Sequence, residues 1–481
     1  MSSSGSKLDM TLQRAAAALK QEHLGSALTL YRKALSMDKN NPKIMFRLGQ
    51  VLLAAGFADE AIEVLKKAAK RRANHLDTLV VLSQAQLLDG DIDAMQATLE
   101  KALSRDPTYG PAVAALVNSF LDSGKTEQAQ GVIQRVGDLT DVHPLVQMAQ
   151  GRIARESKEY EKAEQLFASL IAQDEVPDRY KRSARFELGS VLDSTEQYDR
   201  AFECFELANA GHSDGRMSHL ESLKSTWSPE VLSTIPVSTI REERPVIIAG
   251  MPRSGTTLTE RVINAHPLGA SVGECPLLLQ MMNRTLASNL DQTLIDLYAS
   301  QYISMLDSST PSSATRVIDK HMGTEKDLGL ISKVLPGVRV IHAIRDPRDC
   351  CLSAYFQNFG TNVPYSRDLG MLGRQYAVHR EMMDYWSEHL DIPIYTNVYE
   401  EFVSDPDAHT RAMLEFLGLE FDEACLRFHE AKDHVHTASS TQVRKPVYQS
   451  SKQRWKNYEK YLAPLLEGLG EYAQGVHGSH E

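Results

Sequence analysis

The sequence predicts a multidomain protein: an all-α solenoid of helical repeats followed by an α/β domain built on a parallel sheet. Three observations carry that reading. A pattern of small and apolar residues returns every 34 residues through the first two hundred positions. The pattern stops near Gly211. Beyond Pro245, short β-branched runs alternate with helical patterns, and the first run enters a glycine-bounded loop that opens a helix.

The repeat is specific. Ala27, Tyr31 and Ala34 begin it, and Ala61, Leu65 and Ala68 follow 34 residues on. Met95, Leu99 and Ala102, then Ala129, Ile133 and Val136, then Ala163, Phe167 and Leu170 keep the same step. Ala201, Phe205 and Ala208 form a sixth copy displaced by 38. An upstream set, Leu48-Gly49, Leu82-Ser83, Leu116-Val117 and Gln150-Gly151, has the same period, and Leu188-Gly189 follows 38 later. A small residue on one helix admits its partner closely, and the residues four and seven further on fill the seam. An unrelated bundle would not hold 34 over four steps. The period and the Ala-x3-aromatic spacing resemble the tetratricopeptide repeat, although the Trp of that consensus is absent from this half. Such pairs cannot bury their faces alone, so they stack into a curved solenoid whose concave face binds a peptide or packs a partner domain. The expected boundaries are 9–210 for the repeats, 211–244 for a connector with one helix near Met217 to Lys224, and 245–475 for the α/β domain.

In that last region Val246-Ile247-Ile248-Ala249 reads as a buried parallel strand, Val338 to Ile344 as a second and Ile392 to Val398 as a weaker third. Helical patterns span Thr257 to Ala265, Lys326 to Leu335 and Leu372 to His389.

Composition sets outer limits. The 481 residues allow about two to four domains. A net charge of −11 argues against a general binder of nucleic acid or anionic membrane, while leaving room for a local basic pocket. The five cysteines (Cys204, Cys275, Cys350, Cys351 and Cys425) include no C-x-x-C pair, so neither a disulfide framework nor a zinc site is expected. Cys350 and Cys351 are expected to point into a core. The first residues lack the apolar stretch of a signal peptide, and no run of about 18 apolar residues occurs. A cytoplasmic protein with no membrane partner is the expectation.

The first strand runs into Gly250-Met251-Pro252-Arg253-Ser254-Gly255-Thr256-Thr257-Leu258. A strand, such a loop and a helix N-terminus make an anion cradle of converging N–H groups. The spacing is that of a nucleotide phosphate loop, but Thr256 stands where a nucleoside-triphosphate enzyme needs its lysine. That disfavours a kinase and suits a terminal group of lower charge, such as a sulfonate.

Pro252 to Leu258 resembles the 5′-phosphosulfate loop of sulfotransferases that use 3′-phosphoadenosine-5′-phosphosulfate (PAPS), above all tyrosylprotein sulfotransferases and bacterial repeat-containing sulfotransferases. Arg345-Asp346-Pro347-Arg348-Asp349, with Ser353 after it, resembles the family's second signature. Ser440-Thr441-Gln442-Val443-Arg444-Lys445-Pro446-Val447-Tyr448, then Arg454-Trp455, resembles the segment that closes over the nucleotide. Three blocks in the right order over about residues 245–470 make the likeness specific.

The resemblance implies a P-loop-type sulfotransferase domain that takes PAPS as co-substrate, with no metal. It implies that Arg253, Ser254, Gly255, Thr256 and Thr257 hold the 5′ end, and that Arg345 and Ser353 bind the 3′-phosphate. A guanidinium fork and a hydroxyl suit a dianion. Gln357 replaces a further family arginine. Tyr399-Glu400 resembles the family's element near the adenine, and Ser440, Gln442, Val443, Arg444, Lys445 and Arg454 complete the implied donor site. The implied catalytic residues are Glu274 as base, Lys320 and Arg253 as cations, and Ser440 as a hydrogen-bond donor. The base carries a departure: the chain has one extra residue after His266-Pro267, and Cys275 stands where tyrosylprotein sulfotransferases have a second Glu. His266 and His321 remain lesser candidates. The acceptor is any hydroxyl-bearing molecule, with a peptide or protein weakly favoured by the repeats. The rival reading is a repeat scaffold with a catalytically inactive nucleotide-binding domain.

Overall fold

The computed structural model describes residues 2–21, 23–72, 74–137, 142–211, 217, 219–275, 277, 290–321, 323–359, 363–430 and 452–475. Backbone contacts divide the chain into two compact units, Met1–Thr195 and Glu196–Glu481.

The described part of the first unit is helical throughout. Its helices are α1 (Ser2–Lys20), α2 (Leu24–Met37), α3 (Pro42–Ala54), α4 (Ala58–Arg71), α5 (Leu76–Leu88), α6 (Ile92–Leu103), α7 (Gly110–Asp122), α8 (Thr126–Val136), α9 (Pro144–Glu156), α10 (Tyr160–Ala172) and α11 (Asp178–Ser194). Local chemistry starts several of them. The Asn41 side chain accepts from the N–H groups of Lys43 and Ile44, with Pro42 at the first helical position. Asp91 caps α6 through Ala94 N–H.

On α4 and α10 the seam residues read from the period are the buried ones, Ala61, Leu65 and Ala68, and Ala163, Phe167 and Leu170. On α8 Ala129 and Val136 are buried, but Val132 is buried where the period pointed to Ile133, which is only partly covered. A Cβ on Gly49 would lie 2.5 Å from Leu65 Cγ, and one on Gly151 would lie 2.5 Å from Phe167 Cε1. The small residues of the upstream set therefore receive the large residues of the next helix. The turns inside successive pairs place Gly56, Gly90, Gly124 and Lys158 at positive φ, again 34 residues apart.

The second unit begins with α12 (Tyr198–Asn209). Two short helices follow, α13 (Leu220–Thr226) and α14 (Pro229–Thr234), where the sequence suggested one. Pro229 starts α14, because proline costs nothing at the first helical position and Ser228 Oγ accepts from Val231 N–H.

The α/β core comprises β1 (Pro245–Ala249), α15 (Thr256–Asn264), β2 (Gly269–Ser271), α16 (Gln292–Ser309), β3 (Arg316–Asp319), α17 (Leu328–Val334), β4 (Arg339–Ile344), α18 (Pro347–Tyr355), α19 (Leu369–His389), β5 (Ile394–Val398), α20 (Tyr399–Phe402), α21 (Pro406–Leu417) and α22 (Ala463–Leu469). The strands form one five-stranded parallel sheet in the order β2-β3-β1-β4-β5. Ile247 pairs with Asp319 on one side and with Val340 on the other. Both faces are covered: Ile247 and Ala249 join a core with Tyr302, Met382 and Trp386, while Val246 and Ile248 join one with Val262, Phe402 and Leu417. β2 and β3 were not legible as strands. β3 has only Val317 and Ile318 between Arg316 and Asp319, too short an apolar run to stand out.

The chain leaves β1 for β2 and β3 on one side, then crosses to β4 and β5 on the other. Beyond the carboxyl ends of the strands, such a switch point opens the crevice in which open α/β sheets bind ligands. Cys350 and Cys351 are fully buried. No described helix is long and apolar enough to cross a membrane.

Candidate active site

The loop 250–255 joins β1 to α15 at that switch point. A Cβ on Gly250 would stand 2.6 Å from Ser254 Oγ and 2.8 Å from the Ala343 carbonyl, so the turn closes only on glycine. Arg253 takes a left-handed conformation (φ 74°), and Gly255 (φ 102°) forms the N-cap of α15. Non-glycine residues at such φ carry strain, which often marks functional loops. Ser254 Oγ is buried and has no hydrogen-bond partner among the described residues. The loop thus presents a hydroxyl and the first N–H groups of a helix to the same small volume.

Arg253 folds across the sheet end, and its Nε donates to Ser353 Oγ at 3.0 Å. Arg345 Nη1 donates to the Arg253 carbonyl at 3.2 Å, and its guanidinium lies 4.7 Å from the centre of the Tyr399 ring. Tyr376 Oη donates to the Arg345 carbonyl at 2.8 Å, which fixes the end of β4. Asp346 caps α18 through Arg348 N–H at 2.9 Å, and its own N–H donates to Glu400 Oε1 at 3.0 Å. Arg253, Arg345, Ser353, Tyr399 and Glu400 are therefore one connected group. Arg454 belongs to a segment held by Asp349, whose carboxylate accepts from the N–H groups of Gln453 (2.6 Å) and Trp455 (2.8 Å).

A second group sits at the end of β3. Lys320 is buried, and its Nζ donates to Glu274 Oε1 at 3.1 Å. Glu260 Oε2 lies 3.8 Å from the same ammonium, and Glu260 Oε1 accepts from Ser271 Oγ at 2.6 Å. Two carboxylates thus share one lysine. The Glu274 side chain keeps 39 % of its surface exposed against 12 % for Glu260. Of the two, Glu274 is the more open to an incoming molecule among the described residues.

Asp319, fully buried, anchors the segment after β2 that carries Glu274: it accepts from Cys275 N–H at 3.2 Å and from Tyr302 Oη at 3.1 Å. Burial pushes its carboxyl up to about 7, against the pull of those two donors and of Lys320. His321 follows Lys320. Burial holds its imidazole below the ordinary range, although Glu274 pulls the other way. Both His266 nitrogens are used within the fold: Nε2 pairs with the Glu420 carbonyl at 2.8 Å and Nδ1 accepts from Leu268 N–H at 3.0 Å.

The structure thus gathers Arg253, Ser254, Gly255, Thr256, Thr257, Arg345, Ser353 and Tyr399 about the ends of β1 and β4, and Glu274 and Lys320 beside β3. Ser440, Gln442, Val443, Arg444 and Lys445 lie outside the described residues. Sequence reasoning missed Glu260 and Asp319. Neither belongs to a local motif that could have marked it.

Residues 245–423 match the Sulfotransferase family, and residues 18–87 and 86–153 match the tetratricopeptide repeat. An uncharacterized protein of Aquifex aeolicus (strain VF5) is 28% identical over 91% of this chain, which spans 60% of that protein's length. Protein-tyrosine sulfotransferase 1 of Danio rerio is 24% identical over 47% of this chain and 71% of its own. Among solved structures, the sulfotransferase domain of the Synechococcus PCC 7002 olefin synthase covers 50% of this chain and 97% of its own at 19% identity, with a TM-score of 0.38. The chain is therefore similar to a sulfotransferase-family domain over residues 245–423 and to tetratricopeptide repeats ahead of it.

Proposed function

We propose that the protein is a sulfotransferase that moves the sulfuryl group of PAPS to the hydroxyl of an acceptor. The observation that carries this reading is the joining of Arg253, Arg345 and Ser353 at the strand ends that flank the glycine-bounded loop, with Lys320 and Glu274 one strand away. The residues present fit such a donor. Ser254 Oγ is a buried hydroxyl waiting for a partner, and Gly255 leaves a space that a Cβ would close to 2.9 Å from the Tyr399 ring.

When bound, the donor supplies an electrophilic sulfur and a bisphosphate leaving group. The N–H groups of the loop, with Arg253, hold the 5′ end. Arg345 and Ser353 take the 3′-phosphate, a dianion for which a guanidinium fork is well shaped. Glu274 accepts the proton of the attacking hydroxyl, and Lys320 sets positive charge beside the oxygen that departs. Asp319 and Glu260 do not touch the reacting atoms: they fix the Glu274 backbone and the Lys320 ammonium. Ser440, Gln442, Val443, Arg444, Lys445 and Arg454 belong to the proposed donor site through the resemblance. The protein-tyrosine sulfotransferase relatives support a tyrosine-bearing peptide or protein as acceptor, and the repeats supply a surface of the kind that binds one. A cytoplasmic location goes with that proposal.

Adenosine 3′,5′-bisphosphate should raise the melting temperature where ATP does not. Arg345→Ala and Ser353→Ala should each weaken bisphosphate binding by about 1.5–3 kcal/mol, the loss of a hydrogen bond to a charged group. Stabilisation by ATP alone would refute the donor assignment.

A further inference from the structure

The sixth copy of the repeat spacing has a second use. Helix α12 carries its Ala201, Phe205 and Ala208, all buried. In the second unit, the Phe205 ring stacks on Phe356 with centroids 3.9 Å apart and planes at 16°. Asn209 is buried, and its Nδ2 donates to the Tyr355 carbonyl at 2.8 Å. That carbonyl is among the last of α18, which have no partner inside the helix. Phe202, one turn before Phe205 on the same face, stacks on Tyr461 at 4.0 Å and 5°, fastening α12 to the segment Arg454–Tyr461 as well.

The ring that Phe205 covers stands between two residues of the proposed donor site. Phe356, the C-cap of α18, follows Ser353 by three positions, and the Arg454 guanidinium lies 5.6 Å from the same ring. Packing within a helical repeat requires Ala201, Phe205 and Ala208, but gives no reason to bury an asparagine that reaches the end of another helix.

We propose that α12 is a positioning element of the donor site, in which Phe205 and Asn209 set Ser353 and Arg454 in the register that the 3′-phosphate of the donor requires. The proposal rests on the donor reading above. It assigns specificity for the 3′-phosphate partly to residues that touch no substrate.

The test uses the full chain and adenosine 3′,5′-bisphosphate, with affinity read by titration calorimetry and folding checked by near-ultraviolet circular dichroism. Phe205→Ala should weaken binding roughly 10- to 100-fold, the equivalent of one charge-assisted contact. Turnover at saturating donor should hold, because the chemical groups are untouched. Phe205→Leu should restore most of the affinity. Phe167→Ala removes the same ring from the matched repeat position in the first unit and should leave affinity unchanged. If Phe205→Ala does not fold, Asn209→Ala carries the test with the same expectation. Unchanged affinity in the folded variants, or an equal loss in Phe167→Ala, would overturn the proposal. Wild-type protein that fails to bind the bisphosphate refutes the donor reading itself, whereas wild-type binding with unaffected variants sinks only the role of α12.

Discussion

Lys320 holds Glu274 and Glu260 on one ammonium, yet the two carboxylates have different prospects, because Glu274 is far more exposed than Glu260. Glu274→Gln keeps the shape but cannot accept a proton. Its turnover should fall roughly 10²–10⁴-fold with donor affinity near that of the wild type, and the acidic limb of the pH–rate profile should vanish. Lys320→Ala should also slow turnover, but should retain that limb. A Glu274→Gln enzyme with normal turnover and an intact limb would move the base to His321, since both His266 nitrogens are bonded within the fold. Asp319 gives a separate pH signature. Its carboxyl titrates near 7 in the fold and near 3.8 in the unfolded chain. Between those values the folded state binds more protons, so this group's contribution to stability declines as pH rises through the window. Asp319→Asn cannot ionise but still accepts from Cys275 N–H. Its melting temperature relative to wild type should rise from pH 5 to pH 8, and a constant difference across that range would refute the assignment.

At the scale of elements, the repeats test how closely helices are fitted. Gly151→Ala puts a methyl 2.5 Å from the Phe167 ring and should destabilise the first unit by about 1–3 kcal/mol, the cost of overpacking. Gly131→Ala, on α8 with open space around it, should instead stabilise by roughly 0.5–1 kcal/mol through helix propensity. Urea unfolding of both variants checks the sign. These contacts were legible in the sequence because a fixed period fixes which residues share a seam. β1 and β4 were legible for another reason: strands buried on both faces read as unbroken apolar runs. β3 was hidden by its brevity. The loop, Arg345 and Ser353 could be read because each belongs to a local motif. Glu260 and Asp319 could not, since what gives a buried carboxylate its role is a partner from a distant part of the chain: Lys320 for the first, Tyr302 and Cys275 for the second.

Over the whole molecule, two units with separate cores should unfold in two calorimetric transitions. Leu99→Ala lies in the first core and Leu417→Ala in the second, and each truncation should cost about 2–5 kcal/mol. Each should shift one transition and leave the other in place, while a single transition moved by both would show that the units unfold together. The packing of α12 bears on how such proteins are assembled by gene fusion. Phe205 and Asn209 hold the helix that presents Ser353, although Phe205 keeps the spacing of a repeat. A recombination event that joined the α/β domain to a new array at the repeat boundary would discard them. The segment that can be inherited intact starts near Glu196, so the last repeat-like helix should travel with the enzyme through every change of partner array.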